Sequence, residues 1–189
     1  MNIKHFFSVF DVTKQVFYTT PLSIGIVNLK PLLPGHVLIL PKRIVPRLSD
    51  LNSIEISDLF LTVQKVGKGL EKYYKAQSLT ISLQDGKSAG QSVPHVHVHI
   101  LPRHSIDFNG ENDKIYPLLE DNESSLKDNF DESQKMKEVN GNATTESEKT
   151  ATIGRDWEIS DEDRKPRSME EMMIEAKAFE DFFNTQKDL

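Results

Sequence analysis

The chain has no cysteine, which excludes a disulfide framework and any thiolate metal site. It has no surplus of positive charge either: 23 Lys and Arg stand against 29 Asp and Glu, a net charge of −6. A broad basic surface for nucleic acid is therefore not expected, although a polyphosphate ligand needs only a few local donors. Long apolar runs are missing as well. The longest surrounds "HVLIL", His36 to Leu40, far short of a bilayer span. The N-terminal "MNIKHFFSVFDVTK" lacks the apolar core and small-residue exit of a signal peptide. The expectation is a soluble protein with no membrane or nucleic-acid partner, cytoplasmic, with nuclear or mitochondrial pools left open. Hydrophobic residues make up only 37%, so part of the chain should lie outside the core.

What is present reads as a mixture of strands and helices. "QVFYTT" (Gln15 to Thr20), "SIGIVNL" (Ser23 to Leu29) and "GHVLILP" (Gly35 to Pro41) are strand-like, with "KPLLPG" as a turn between the last two. From Ser53 to about Lys75 the apolar period becomes helical, through Ile56, Leu59, Phe60, Val63, Val66, Leu70, Tyr73 and Tyr74. Asn52 and Glu55 fit a capping box at its start. Gly67 and Gly69 disfavour a helix interior but permit close packing on a sheet. "SLTISLQDG" (Ser78 to Gly86) alternates again, and "PHVHVHILP" (Pro94 to Pro102) should pair with it antiparallel. From Glu120 to Thr150, polar and acidic residues dominate, and the stretch is expected to be disordered. "SMEE" then caps a final helix from Ser168, with Met172, Ala176, Phe179 and Phe183 as its apolar stripe.

The sharpest feature is "QSVPHVHVHILPR", Gln91 to Arg103, which holds three of the six histidines at alternate positions. In a strand, alternate side chains share a face, so His95, His97 and His99 stand in a row with Val96, Val98 and Ile100 behind them. Two chemistries fit. Strand histidines can converge on zinc, with Asp85 or His36 as a further ligand. Alternatively, a neutral imidazole can attack phosphorus, provided one ring nitrogen is free and the other is held as a donor. The central ring, flanked on both sides, suits the nucleophile, and its free nitrogen should face an opening large enough for a nucleotide.

"HVHVHIL" resembles the signature of the histidine triad family. "VNLKPLLPGHVLILPKR" and "SLQDGKSAGQSVPHVHVHILPR", with the helix between them, resemble its Fhit branch, the dinucleoside polyphosphate hydrolases or bis(5′-adenosyl)-triphosphatases. The likeness covers about residues 1–118 and again about 156–184. It implies an α+β fold: an antiparallel sheet with one long helix packed across it and a C-terminal helix. The implied division is a catalytic domain over 1–118, an acidic disordered insertion over 119–155 and a C-terminal helical segment over 156–189.

By the same resemblance His97 is the nucleophile. It would form a nucleotidyl-histidine intermediate that water hydrolyses to AMP. His99 would contact phosphate and assist the leaving oxygen, His95 would orient the site, and His36 would buttress the triad. Asn28 and Gln84 would bind ribose or phosphate, and Gly90, Gln91, Ser92 and Val93 would wrap the phosphates. Phe6, Val9, Phe10, Ile26 and Leu38 are candidates for a base cleft. His5 and His104 read as surface residues. A divalent cation, Mg or Mn, would ride on the substrate phosphates without a protein metal site. A homodimer is implied. Two readings stand beside this one: a nucleotide-binding signalling module whose occupancy is the output, and a nucleoside phosphoramidase of another branch of the family. The acidic insertion departs from the family pattern, and "DKIYPLLE" with Tyr116 places its start near the expected mouth of the site.

Overall fold

A computed structural model describes residues 3–139 and 164–186. A small hairpin, β1 (Phe6–Phe7) with β2 (Phe10–Asp11), precedes a five-stranded sheet. The sheet consists of β3 (Val16–Thr19), β4 (Ser23–Val27), β5 (Val37–Pro41), β6 (Ser78–Ser82) and β7 (Val98–Arg103). Its order is β3-β4-β5-β7-β6, every neighbour antiparallel. The α+β architecture therefore matches the expectation. The β-branched and leucine-rich runs of β4, β5 and β7 are buried throughout, as strands covered on both faces should be.

Helix α1 (Ser53–Tyr74) packs across β4, β5 and β7. The Asn52 side chain accepts from the amides of Ile54 and Glu55, and Glu55 accepts from the Asn52 amide, so the capping box forms. Leu59, Val63, Val66 and Leu70 are buried beneath it. A Cβ at Gly67 would come within 2.6 Å of the Leu79 terminal methyl on β6, so a larger residue there would require that side chain to shift. Helix α3 (Met169–Thr185) begins at Ser168, whose hydroxyl accepts from the Glu171 amide. Its stripe of Met172, Ala176, Phe179 and Phe183 is buried, with Phe179 edge-on to Phe17 and Tyr73.

Two features differ from expectation. Residues 119–139 are not disordered; they belong to helix α2 (Ile115–Val139), while 140–155 lie outside the described residues. The physical reason is a stripe at helical spacing: Ile115, Leu119, Asn122, Glu123, Leu126 and Phe130 are all buried, although two of them are polar. Pro117 sits in the first turn, where its missing N–H had no partner to lose. Secondly, β7 begins at Val98 and not at Pro94. Its ladder with β5 runs only from Ile39↔Val98 to Val37↔Ile100. Upstream, the chain is held by other bonds: the Val96 amide donates to Val45, and the His95 ring reaches Pro41.

Candidate active site

The histidines sit on the sheet face opposite α1, because Val98 and Ile100 point to the helix and His99 alternates with them. His36, His95, His97 and His99 are all buried. Rings of neighbouring members lie close: 5.2 Å between the His97 and His99 centroids and 5.1 Å between His36 and His99. Phe7 of the small hairpin covers the row, 5.1 Å from His97 and 5.7 Å from His95.

The hydrogen-bond pattern assigns a tautomer to each ring. The Leu32 amide donates to His36 Nδ1 (3.2 Å), so the His36 proton is on Nε2 and is directed at His99 Nδ1 (2.9 Å). His99 then carries its own proton on Nε2. The Ser8 amide donates to His95 Nδ1 (3.0 Å), and His95 Nε2 donates to the Pro41 carbonyl (2.8 Å). His97 is the reverse case. Its Nδ1 donates to the His95 carbonyl (2.7 Å), which places a lone pair on Nε2. Burial pushes His36 well below its ordinary value and His95 down to about 4, and it lowers His99 as well. Those three rings are therefore neutral near pH 7.

His97 Nε2 was expected to be open, and it is not. Glu123 of α2 lies across it, with Oε2 at 2.8 Å from His97 Nε2 and 3.2 Å from His99 Nε2. The other carboxylate oxygen accepts from the Ser92 amide (2.9 Å), and the Ser92 hydroxyl donates to the Glu123 carbonyl (2.5 Å). Both Glu123 and His97 are only 1% exposed. Burial would raise this carboxyl, but its hydrogen bonds with His97 and His99 outweigh it and hold it well below the carboxylate range. Because His97 Nδ1 already donates, the contact between Nε2 and Oε2 requires a proton shared between those two atoms. In this conformation His97 Nε2 is occupied by Glu123. His97, His99 and Glu123 also bring three donor atoms within 4.8 Å, a set that could hold a metal ion. The third member is Glu123. Asp85 is instead paired with Arg47, and His36 is bonded to His99.

The remaining expected residues divide. Ser92 and the buried Val93 reach the site with the loop, where Gly90 adopts a left-handed turn (φ +95°). Gln91 is turned away to the Pro46 carbonyl (2.9 Å), and Gln84 donates to Ser82 (2.9 Å). Asn28 is fully buried; its Oδ1 accepts from the Lys30 amide (2.9 Å) and its Nδ2 lies 3.2 Å from His36 Nε2. Among the base-cleft candidates, Phe10 is buried against Phe130, whereas Ile26 and Leu38 are core residues of the sheet. Phe6 and Val9 are exposed, so neither lines a cleft here. His5 and His104 are half-buried outside the cluster. Sequence reading missed Glu123, Asn122 and Arg167. Asn122 Nδ2 donates to the Lys30 carbonyl (3.0 Å), and the Arg167 guanidinium bonds the Asn28 carbonyl from the C-terminal segment. The stripe Ile115, Leu119, Leu126, Phe130 was the signal that could have found the first two.

Comparisons with known proteins place the chain in a family. The HIT domain family matches residues 9–106. A Schizosaccharomyces pombe protein named bis(5′-nucleosyl)-tetraphosphatase (asymmetrical) is 47% identical over 97% of this chain and 96% of its own. An Arabidopsis thaliana protein named bifunctional bis(5′-adenosyl)-triphosphatase/adenylylsulfatase is 45% identical over 90% of this chain and 79% of its own. The crystal structure of a Plasmodium falciparum diadenosine triphosphate hydrolase superimposes with a TM-score of 0.63 at 26% identity, covering 97% of this chain and 86% of that one. With the family match spanning more than half of the chain and containing the histidine row, this chain belongs to the HIT domain family.

Proposed function

We propose that the protein hydrolyses dinucleoside polyphosphates, diadenosine triphosphate foremost, to AMP and the remaining nucleotide. The observation that carries this reading is the His97 tautomer: Nδ1–H is tied to the His95 carbonyl, which leaves the Nε2 lone pair as the only reactive one in the row. Nε2 attacks the α-phosphorus, and the bond to the bridging oxygen breaks. The departing phosphate oxygen leaves as an anion that accepts a hydrogen bond from His99 Nε2–H, whose ring is held in that tautomer by the His36 bond at Nδ1. Water then attacks the phosphorus of the nucleotidyl-histidine, the P–N bond breaks to restore neutral His97, and AMP leaves with the proton of the water released to solvent. His95 fixes the His97 ring through its carbonyl. The Gly90–Val93 loop would hold phosphate through main-chain N–H groups, as its Ser92 amide holds an anion here. Asn28 and Gln84 would serve the ribose.

A divalent cation, Mg or Mn, would arrive on the substrate phosphates. The three-donor group beside the pocket is two nitrogens and one carboxylate, whereas Mg prefers oxygen ligands and retained water. No helix among the described residues is long and apolar enough to cross a membrane, and we place the protein in the cytoplasm. A homodimer would pair the edge strand β6 with a second copy: Ile81 on it is 49% exposed, and Leu61 on the adjoining α1 is 64% exposed. Sedimentation of the wild type and of Ile81→Lys tests this; a monomeric wild type would exclude it.

Mass spectrometry of protein quenched during turnover tests the chemistry, with an adenylyl adduct on His97 as the expected result. No adduct under turnover would remove the covalent route. Rates on diadenosine triphosphate, diadenosine tetraphosphate and an adenosine phosphoramidate rank the substrates. Glu123 lying on His97 Nε2 favours a second reading, in which nucleotide occupancy is the output. It predicts binding with slow turnover, and binding kept in His97→Ala.

A further inference from the structure

Helix α2 holds the one group that conflicts with turnover. The Glu123 carboxylate collects the Ser92 amide, His97 Nε2 and His99 Nε2. These are the two donors and the nucleophilic nitrogen that the proposed hydrolysis assigns to the reacting phosphate. A buried anion with trigonal oxygens in a ring of N–H donors is a close chemical stand-in for a phosphoryl group. Two apolar anchors flank it. Ile115 and Leu119 join Leu32, Leu33, Leu101 and Phe108 on one side. On the other, Phe130 stacks on Phe10 at 5.0 Å and meets Phe7 edge-on at 5.5 Å. Phe7 in turn touches His95 and His97. The helix thus covers His97 and His99, and a nucleotide reaches the buried His97 only when it moves.

We propose that α2 is a tethered competitor for the phosphate subsite, with Glu123 as its phosphate surrogate, so that the enzyme rests closed and substrate opens it by displacement. The inference rests on the proposed hydrolase reading for its consequences in rate. It differs from a catalytic role for Glu123, because the carboxylate occupies the Nε2 position from which attack has to come. Closure is self-limiting. One competent open state in ten would raise the apparent dissociation constant about tenfold over that of a permanently open pocket.

The test is kinetic and structural on the full chain. Glu123→Ala is expected to lower KM for diadenosine triphosphate by about tenfold or more while kcat is kept or raised; Glu123→Gln, which keeps the shape and loses the charge, should fall between. A release variant outside the pocket, Phe130→Ser, should shift KM in the same direction. A fall in kcat at unchanged KM in Glu123→Ala would overturn the proposal by making Glu123 part of the catalytic machinery. Hydrogen exchange gives a readout independent of turnover. Amides of 115–135 should exchange faster in wild type when AMP or inorganic phosphate is added, and fast without either in Glu123→Ala. Exchange that ligand leaves unchanged would overturn the proposal. If neither protein hydrolyses any dinucleoside polyphosphate but phosphate still frees the helix, the hydrolase reading fails and the tethered competitor stands.

Discussion

Helices α1 and α2 cover opposite faces of one sheet, and they are held in different ways. Beneath α1 lies a mainly apolar face, Leu59, Val63, Val66 and Leu70, on strands buried throughout, and its buried Thr62 bonds back to the Asp58 carbonyl of the same helix. The stripe of α2 is broken in the middle by Asn122 and Glu123, whose partners are the Lys30 carbonyl, Ser92 and two imidazoles. Apolar contact can be replaced only by more apolar contact, whereas the polar contacts of α2 can be replaced by water or by a phosphate. The comparison teaches that a helix can be completely docked and still be exchangeable, when its central contacts are those its pocket offers a ligand.

The largest effect should come from the residue that α2 covers. His97→Ala is expected to fold and lose at least about four orders of magnitude in kcat, measured on diadenosine triphosphate; near-normal turnover would place the chemistry elsewhere. The comparison itself is sharpened by one substitution in each helix. Leu70→Ala in α1 should cost about 2–5 kcal/mol of global stability, read from denaturant midpoints. Phe130→Ala in α2 deletes a larger ring, yet it should move the global midpoint much less, because α2 can open without unfolding the sheet. Equal losses in the two variants would show that α2 is part of the cooperative core.

Acid should weaken the histidine face. Burial lowers His36, His95 and His99, so the unfolded chain binds their protons first. Stability is then intact above pH ~6.5 and falls as pH drops through that value towards the lowered ones. With His95 at about 4, its share of the loss reaches about 3 kcal/mol by pH 4. A flat unfolding free energy between pH 7 and 4.5 would contradict this. The smallest effect is expected at α3, where Ser168→Ala removes the cap on the Glu171 amide and should cost about 1 kcal/mol.

Much of this was legible residue by residue. Asn52 with Glu55 and Ser168 with Glu171 marked two helix starts, because capping is chemistry between residues three apart. His95, His97 and His99 marked the site, because alternation is a local geometric rule. Helix α2 was not legible by composition. Glu120, Asp121, Glu123, Asp128 and Asp131 dilute the stripe, and Glu123 looks like any other acidic surface residue until its pocket is present. The supporting role of Arg167 was hidden for a related reason: it meets the Asn28 carbonyl from 139 positions away.

The sequence by itself determined the antiparallel strands, the two capped helices, the histidine row and the family, since each depends on residues close together in the chain. Only the tertiary structure decided which imidazole nitrogen carries a proton and what lies against the one that does not. Those follow from carbonyls, amides and a carboxylate brought together from Ser8, Leu32, Pro41 and Glu123. A proton's position depends on the partner a few ångströms away, and folding alone chooses that partner.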